Sequence, residues 1–68
     1  MRLKELRKLK NESQQKLAMI LKVSQTLISR YESGEREPSF AEFIKIADYF
    51  DVSIDYILDR TDNPNINR

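Results

Sequence analysis

The sequence predicts an all-α protein, a compact bundle of five short helices in one small domain. Three observations predict it. Apolar residues recur at spacings of three and four, and no strand-like alternation is sustained. Only one glycine and two prolines occur in 68 residues. Serine stands four times just ahead of an apolar-periodic run, at Ser13, Ser24, Ser39 and Ser53, which is where a helix N-cap belongs.

The first helix spans roughly residues 1–10, with Leu3, Leu6 and Leu9 marking its inner face and Asn11 as a left-handed stop. Ser13 caps the second, about 14–21, which turns Leu17, Ala18 and Leu21 inward. Val23-Ser24 and Val52-Ser53 repeat one device, an apolar residue before a capping serine with a staple partner further on at Ile28 or Ile57. The third and fifth helices therefore start near 24 and 53. Pro38-Ser39 opens the fourth. Ser39 and Glu42 have capping-box spacing, and Phe40, Phe43, Ile44, Ala47 and Phe50 share a face. Gly34, the sole glycine, sits just past the third helix, where positive φ is inexpensive. The apolar pattern ends at Leu58, so residues 1–59 form the domain and 60–68 read as a mobile tail.

Composition narrows the chemistry. With no Cys and no His, there is no disulfide, no thiolate metal site and no imidazole base. No metal, cofactor or catalytic residue is expected. Scattered carboxylates such as Asp48, Asp51 and Asp55 fit helix ends and turns better than an active site. No apolar run approaches the ~20 residues of a membrane span, and the N-terminus has a helix pattern rather than a signal peptide, so the expected setting is the cytoplasm. The net charge of +1 hides a division: residues 1–36 carry +5 and residues 37–68 carry −4. A basic half of this kind suits a polyanion, and it also suits a solvated face.

The third helix has an unusual polar side. With Ile28 inward and 100° per residue, Tyr31 and Ser24 fall near the core and Glu32 at its edge. Thr26, Ser29, Arg30 and Ser33 face away, with Gln25 at the margin. Lys, Glu and Ala would make a better solvent face by helix propensity. Short amides, hydroxyls and one guanidinium are instead the groups that read base edges: Gln pairs with adenine, Arg with guanine, and Thr meets a thymine methyl. Two short helices joined at Lys22-Val23, the second with this outer face, have the form of a helix-turn-helix. In that motif the second helix enters the major groove and the first crosses the backbone. The free N–H groups at Gln14 and Gln15 then suit a phosphate.

From Leu3 to Leu58 the chain resembles the XRE-type, lambda-repressor-like (Cro/phage-repressor) family of bacterial and phage regulators. The residues that carry the resemblance are SQQKLAMILKVSQTLISRYESGEREPS at 13–39, the fourth-helix pattern, and VSIDYIL at 52–58. It implies a sequence-specific regulator of transcription, most simply a repressor, on a palindromic double-stranded DNA operator. By the same resemblance, Gln25, Thr26, Ser29 and Arg30 face bases, and Ser13, Gln14, Ser33 and Arg36 meet phosphates. Arg36, between Glu35 and Glu37, suits plain solvation nearly as well. Arg7 and Glu32 match a structural ion pair of the family. Tyr49, Tyr56 and Ile57 would join two copies into a homodimer on DNA, its recognition helices about 34 Å apart. The fold also serves antitoxins, so a toxin or co-regulator protein bound through acidic residues 37–62 is the alternative reading.

Three positions depart from the family pattern. Lys22 holds a turn position usually given to Gly or Asn, where a left-handed residue costs about 1 kcal/mol. Glu12 stands where an apolar residue is common, and Leu27 where a small polar one is. Leu27 is expected to pack rather than touch a thymine methyl, and Tyr31 to be core with its hydroxyl near the surface. Lys4, Lys8 and Lys10 are expected to supply long-range attraction.

Overall fold

The computed structural model describes residues 1–65, and these form five helices in chain order: α1 Leu3–Leu9, α2 Gln14–Leu21, α3 Gln25–Ser33, α4 Phe40–Phe50 and α5 Ile54–Ile57. Four of the five begin on the expected serine. The hydroxyl oxygens of Ser13, Ser24, Ser39 and Ser53 accept from the backbone N–H three residues on, at 3.0, 3.1, 3.2 and 3.1 Å. Each satisfies one of the donors that a helix start leaves open. Helix ends use left-handed residues: Gly34 at φ 82°, Lys22 at 59° and Asp51 at 54° as C-caps, with Asn11 at 56° one residue past the α1 cap. Gly34 accepts that geometry without strain; Lys22 bears the cost expected of a side chain there.

The core is built from Leu3, Leu6, Leu17, Ala18, Leu21, Ile28, Tyr31, Phe43, Ile46, Ala47, Phe50, Val52 and Ile57. Leu27 is half-buried against it, as expected. Several expected core positions are not core. Leu9, Phe40 and Ile44 are 74%, 74% and 40% exposed. A spacing of three turns back 60° at each step, so Leu9 lies 120° from Leu3 and leaves the face. On α4 the buried stripe is Phe43, Ile46, Ala47 and Phe50. Ile44 stands 100° away from Phe43, and Phe40 is the first residue of its helix. Ile46, absent from the expected face, is fully buried. Ile57 must also be corrected. It was expected at a dimer contact, yet it is 0% exposed and fills the core as the staple residue of α5.

Two charged clusters close the bundle. Arg2 ties the first residues to α5. Its Nε donates to the Tyr56 carbonyl at 3.0 Å, its guanidinium lies 4.3 Å from the Tyr56 ring centroid, and its backbone N–H donates to the Ile57 carbonyl at 2.8 Å. Asp59 and Asp62 lie 2.9 and 3.0 Å from the same guanidinium. The segment that follows doubles back, since the Pro64 carbonyl accepts the Ser53 N–H at 3.0 Å. The remainder of the expected tail, residues 66–68, lies outside the described residues. The second cluster centres on Glu12, which is buried (8% exposed) despite its charge. Tyr49 donates its hydroxyl to Glu12 Oε1, Oε2 has no partner among the described residues, and the Lys10 ammonium sits 4.2 Å from the Tyr49 ring centroid. Lys10 thus has a local partner beyond the long-range role expected of it. No described helix is long and apolar enough to cross a membrane.

Candidate nucleic-acid interface

The pairing of α2 with α3 positions the site. Leu17, Ala18 and Leu21 of α2 and Ile28 and Tyr31 of α3 are the buried residues of the two helices. Once those residues are inside, the period of 3.6 sends Thr26, Ser29, Arg30 and Ser33 outward. Gln25, Thr26, Ser29 and Arg30 are all exposed. They form one row along a nine-residue helix, about 13 Å long. Arg30 is held only loosely. Its Nε is 3.9 Å from Glu35 Oε2, and both side chains are more than half exposed, so that pair contributes little and leaves the guanidinium free to turn. A helix of this diameter enters a B-DNA major groove about 12 Å wide.

The groups expected near phosphate gather at the other end of α3. Ser13 and Arg36 are exposed, Gln14 is half-buried, and Ser33 donates its hydroxyl to the Arg30 carbonyl at 3.2 Å. The Arg36 N–H donates to the same carbonyl at 3.3 Å, which folds the post-helix loop back onto α3. Gln14 Nε2 donates to Glu32 Oε1 at 3.1 Å, locking the start of α2 to the end of α3. An amide nitrogen has a second proton, so Gln14 keeps one donor for an outside acceptor. The helix pattern points Gln14 outward only, and its inward bond, to a residue 18 positions away, leaves no local signal in the sequence.

Behind this end lies the ion pair of Arg7 and Glu32. Arg7 Nε donates to Glu32 Oε2 at 2.7 Å and Nη2 to Oε1 at 3.1 Å, the bidentate fork that favours Arg. Arg7 Nη1 donates to the Glu12 carbonyl at 2.7 Å. The side chains are 11% and 4% exposed. Burial pushes the Glu32 carboxyl up, but the bonds from Arg7 and Gln14 and the charges of Arg7 and Lys4 outweigh it and hold the group below its usual range. One network therefore fixes α1, the α1–α2 turn, the start of α2 and the end of α3. Tyr31, one residue before Glu32 on α3, is 4% exposed. Its hydroxyl is pushed up, first by burial and then by Glu42, with Arg36 opposing. Among the described residues no group of His, Cys, Asp or Glu is arranged to hold a metal.

Comparisons with known proteins agree with this geometry. A family model described as helix-turn-helix matches residues 3–57. The chain is 44% identical over 59 residues to the HTH-type transcriptional regulator AnsR of Bacillus subtilis, covering 87% of this chain and 51% of the relative. It is 38% identical over 64 residues to the uncharacterised HTH-type transcriptional regulator YqaE of the same organism, covering 94% and 55%. It is 39% identical over 59 residues to the cryptic phage CTXphi transcriptional repressor RstR of Vibrio cholerae, covering 87% and 53%. The chain thus spans about half the length of these relatives. No solved structure matches it. The five-helix, strand-free architecture of the described residues and the matched family bear out the expected lambda-repressor-like fold.

Proposed function

Because the chain belongs to the helix-turn-helix family, we propose that it is a sequence-specific double-stranded DNA-binding regulator of transcription that reads its site with α3 in the major groove. The observation that carries this is the unobstructed outward row Gln25, Thr26, Ser29 and Arg30 on a helix whose other face is buried. Arg30 reads guanine, Gln25 reads adenine, and Thr26 and Ser29 supply shorter bonds and a methyl contact. The open N–H groups at the start of α2, with Ser13, Gln14, Ser33 and Arg36, bind phosphate and set the angle of α3. The charge division fits this placement, since the basic half holds α1 to α3 and so faces the polyanion.

Repression follows most simply, by occupation of promoter DNA in the cytoplasm. A homodimer on a palindromic operator would present two copies of α3 one helical turn apart. Tyr49 and Tyr56, both half-buried, remain the residues proposed for that contact. Sites selected from a random duplex library give the half-site, its symmetry and its spacing. On a selected site at fixed salt, fluorescence anisotropy should show Arg30→Ala losing about 1–3 kcal/mol of discrimination against the wrong base. Lys8→Ala should weaken specific and random duplex alike. Equal loss on both duplexes for Arg30→Ala removes Arg30 from base reading.

A further inference from the structure

We infer that the groove between α4 and α5 docks a protein segment in which an aliphatic or aromatic anchor is flanked by Lys or Arg. The groove is open to solvent and holds about 340 Å³, at the small end of the range for ligand pockets. Ala47 and Val52, nearly fully buried, form its floor, and Ile44 and Ile54 its partly exposed walls. Ile44 is 40% exposed, and Phe40, one turn earlier on α4, is 74% exposed, so the apolar surface continues past the groove. Its rim carries Asp48 and Asp55 and, among the described residues, no cation. Both carboxylates are exposed, and neither joins an ion pair among the described residues. The C-terminal end of α4, closed by Asp51, adds its own negative potential.

That chemistry selects the occupant. Unpaired carboxylates around an apolar floor repel nucleic acid and anionic lipid, and none of the lining residues belongs to α3. A second copy set here by a two-fold axis would bring Asp48 and Asp55 against their own images, a like-charge arrangement that opposes association. A basic, apolar peptide meets both features at once: its anchor fills the floor and its cations neutralise the rim. The inference does not depend on what α3 binds, and it is tested without DNA.

The test pans the full chain against a displayed random peptide library and maps the enriched peptides by amide chemical shifts. The expected peptides combine an apolar anchor with two or more Lys or Arg, and move Ile44, Ala47, Asp48, Val52 and Ile54. Ile44→Glu should abolish binding at unchanged thermal stability. Asp48→Asn with Asp55→Asn should weaken it roughly fivefold at low salt and less at high salt. Where Ile44→Glu does not fold, Asp48→Lys with Asp55→Lys, both exposed, carries the same test through loss of binding. The inference is overturned if no peptide is enriched, if enriched peptides lack basic residues, or if shifts fall outside the groove. Groove shifts that grow with protein concentration alone assign it to a second copy, and shifts on removal of residues 66–68 assign it to that segment; either overturns the partner proposed.

Discussion

Removing Arg7 should cost this domain a large part of its stability. Arg7→Ala withdraws both donors from Glu32 at 2.7 and 3.1 Å and one from the Glu12 carbonyl at 2.7 Å. It leaves a carboxylate that is 4% exposed with only the Gln14 amide. Breaking a buried pair in this way costs about 3–5 kcal/mol. The low end applies here, because Arg7 keeps 11% of its surface and water enters readily once its side chain is gone. A domain of 68 residues has roughly 3–10 kcal/mol in total, so a loss of about 3 kcal/mol leaves it marginal or unfolded at room temperature. Urea melts followed by far-UV circular dichroism measure the loss. Arg7→Met combined with Glu32→Met should return stability to within about 1 kcal/mol of the parent, since a packed apolar pair replaces a buried ionic one at little cost. The pH dependence has a definite sign. The folded Glu32 value is depressed, so its contribution is complete above the ordinary value of 4.5 and is lost as pH falls through the lower folded one. The parent should therefore lose more stability on acidification below about pH 4.5 than the double variant does. A cost under about 1 kcal/mol for Arg7→Ala, or the same acid slope in the double variant, would make this an ordinary surface pair.

Two further outcomes follow from the fold. Tyr49→Phe leaves both oxygens of buried Glu12 without a partner and should cost about 1–3 kcal/mol in chemical denaturation. Adding Glu12→Leu should recover that loss or exceed it, because the apolar pair removes the desolvated carboxylate altogether. Lys22→Gly relieves a side chain held at φ 59° and should stabilise by roughly 0.5–1 kcal/mol, a rise of a few degrees in Tm by calorimetry. An unchanged or lowered Tm would mean that the left-handed turn carries no strain worth relieving.

The features legible in the sequence are those with short-range causes. Four serine caps, the left-handed Asn11 and Gly34, and the inner faces of α2 and α3 each follow from chemistry within one or two turns. The outward row of α3 followed from the same periodicity. What periodicity misplaced were residues at a helix end or at the margin of a stripe, where neighbours decide: Leu9, Phe40, Ile44, and Ile46, which was left off the expected α4 face. Contacts between distant segments had no signature at all. Glu12 looked out of place in sequence, but nothing there indicated the Tyr49 hydroxyl 37 residues away that satisfies one of its oxygens. The inward bond of Gln14 and the place of Lys10 above Tyr49 are of the same kind. For Ile57 the staple spacing and the dimer expectation competed, and burial decided for the staple.

The clamp made by Arg2 makes the two extremities of the domain a single cooperative unit. A helix of one turn has no stability of its own, and α5 has four residues. It is held by Ile57 in the core and by a guanidinium from 54 positions earlier in the chain. Whatever draws Arg2 away loosens Tyr56 and Ile57 together, and with them the wall that Ile54 gives to the acidic groove. Opening at the beginning of the polypeptide is thereby felt at α5, as one local unfolding event.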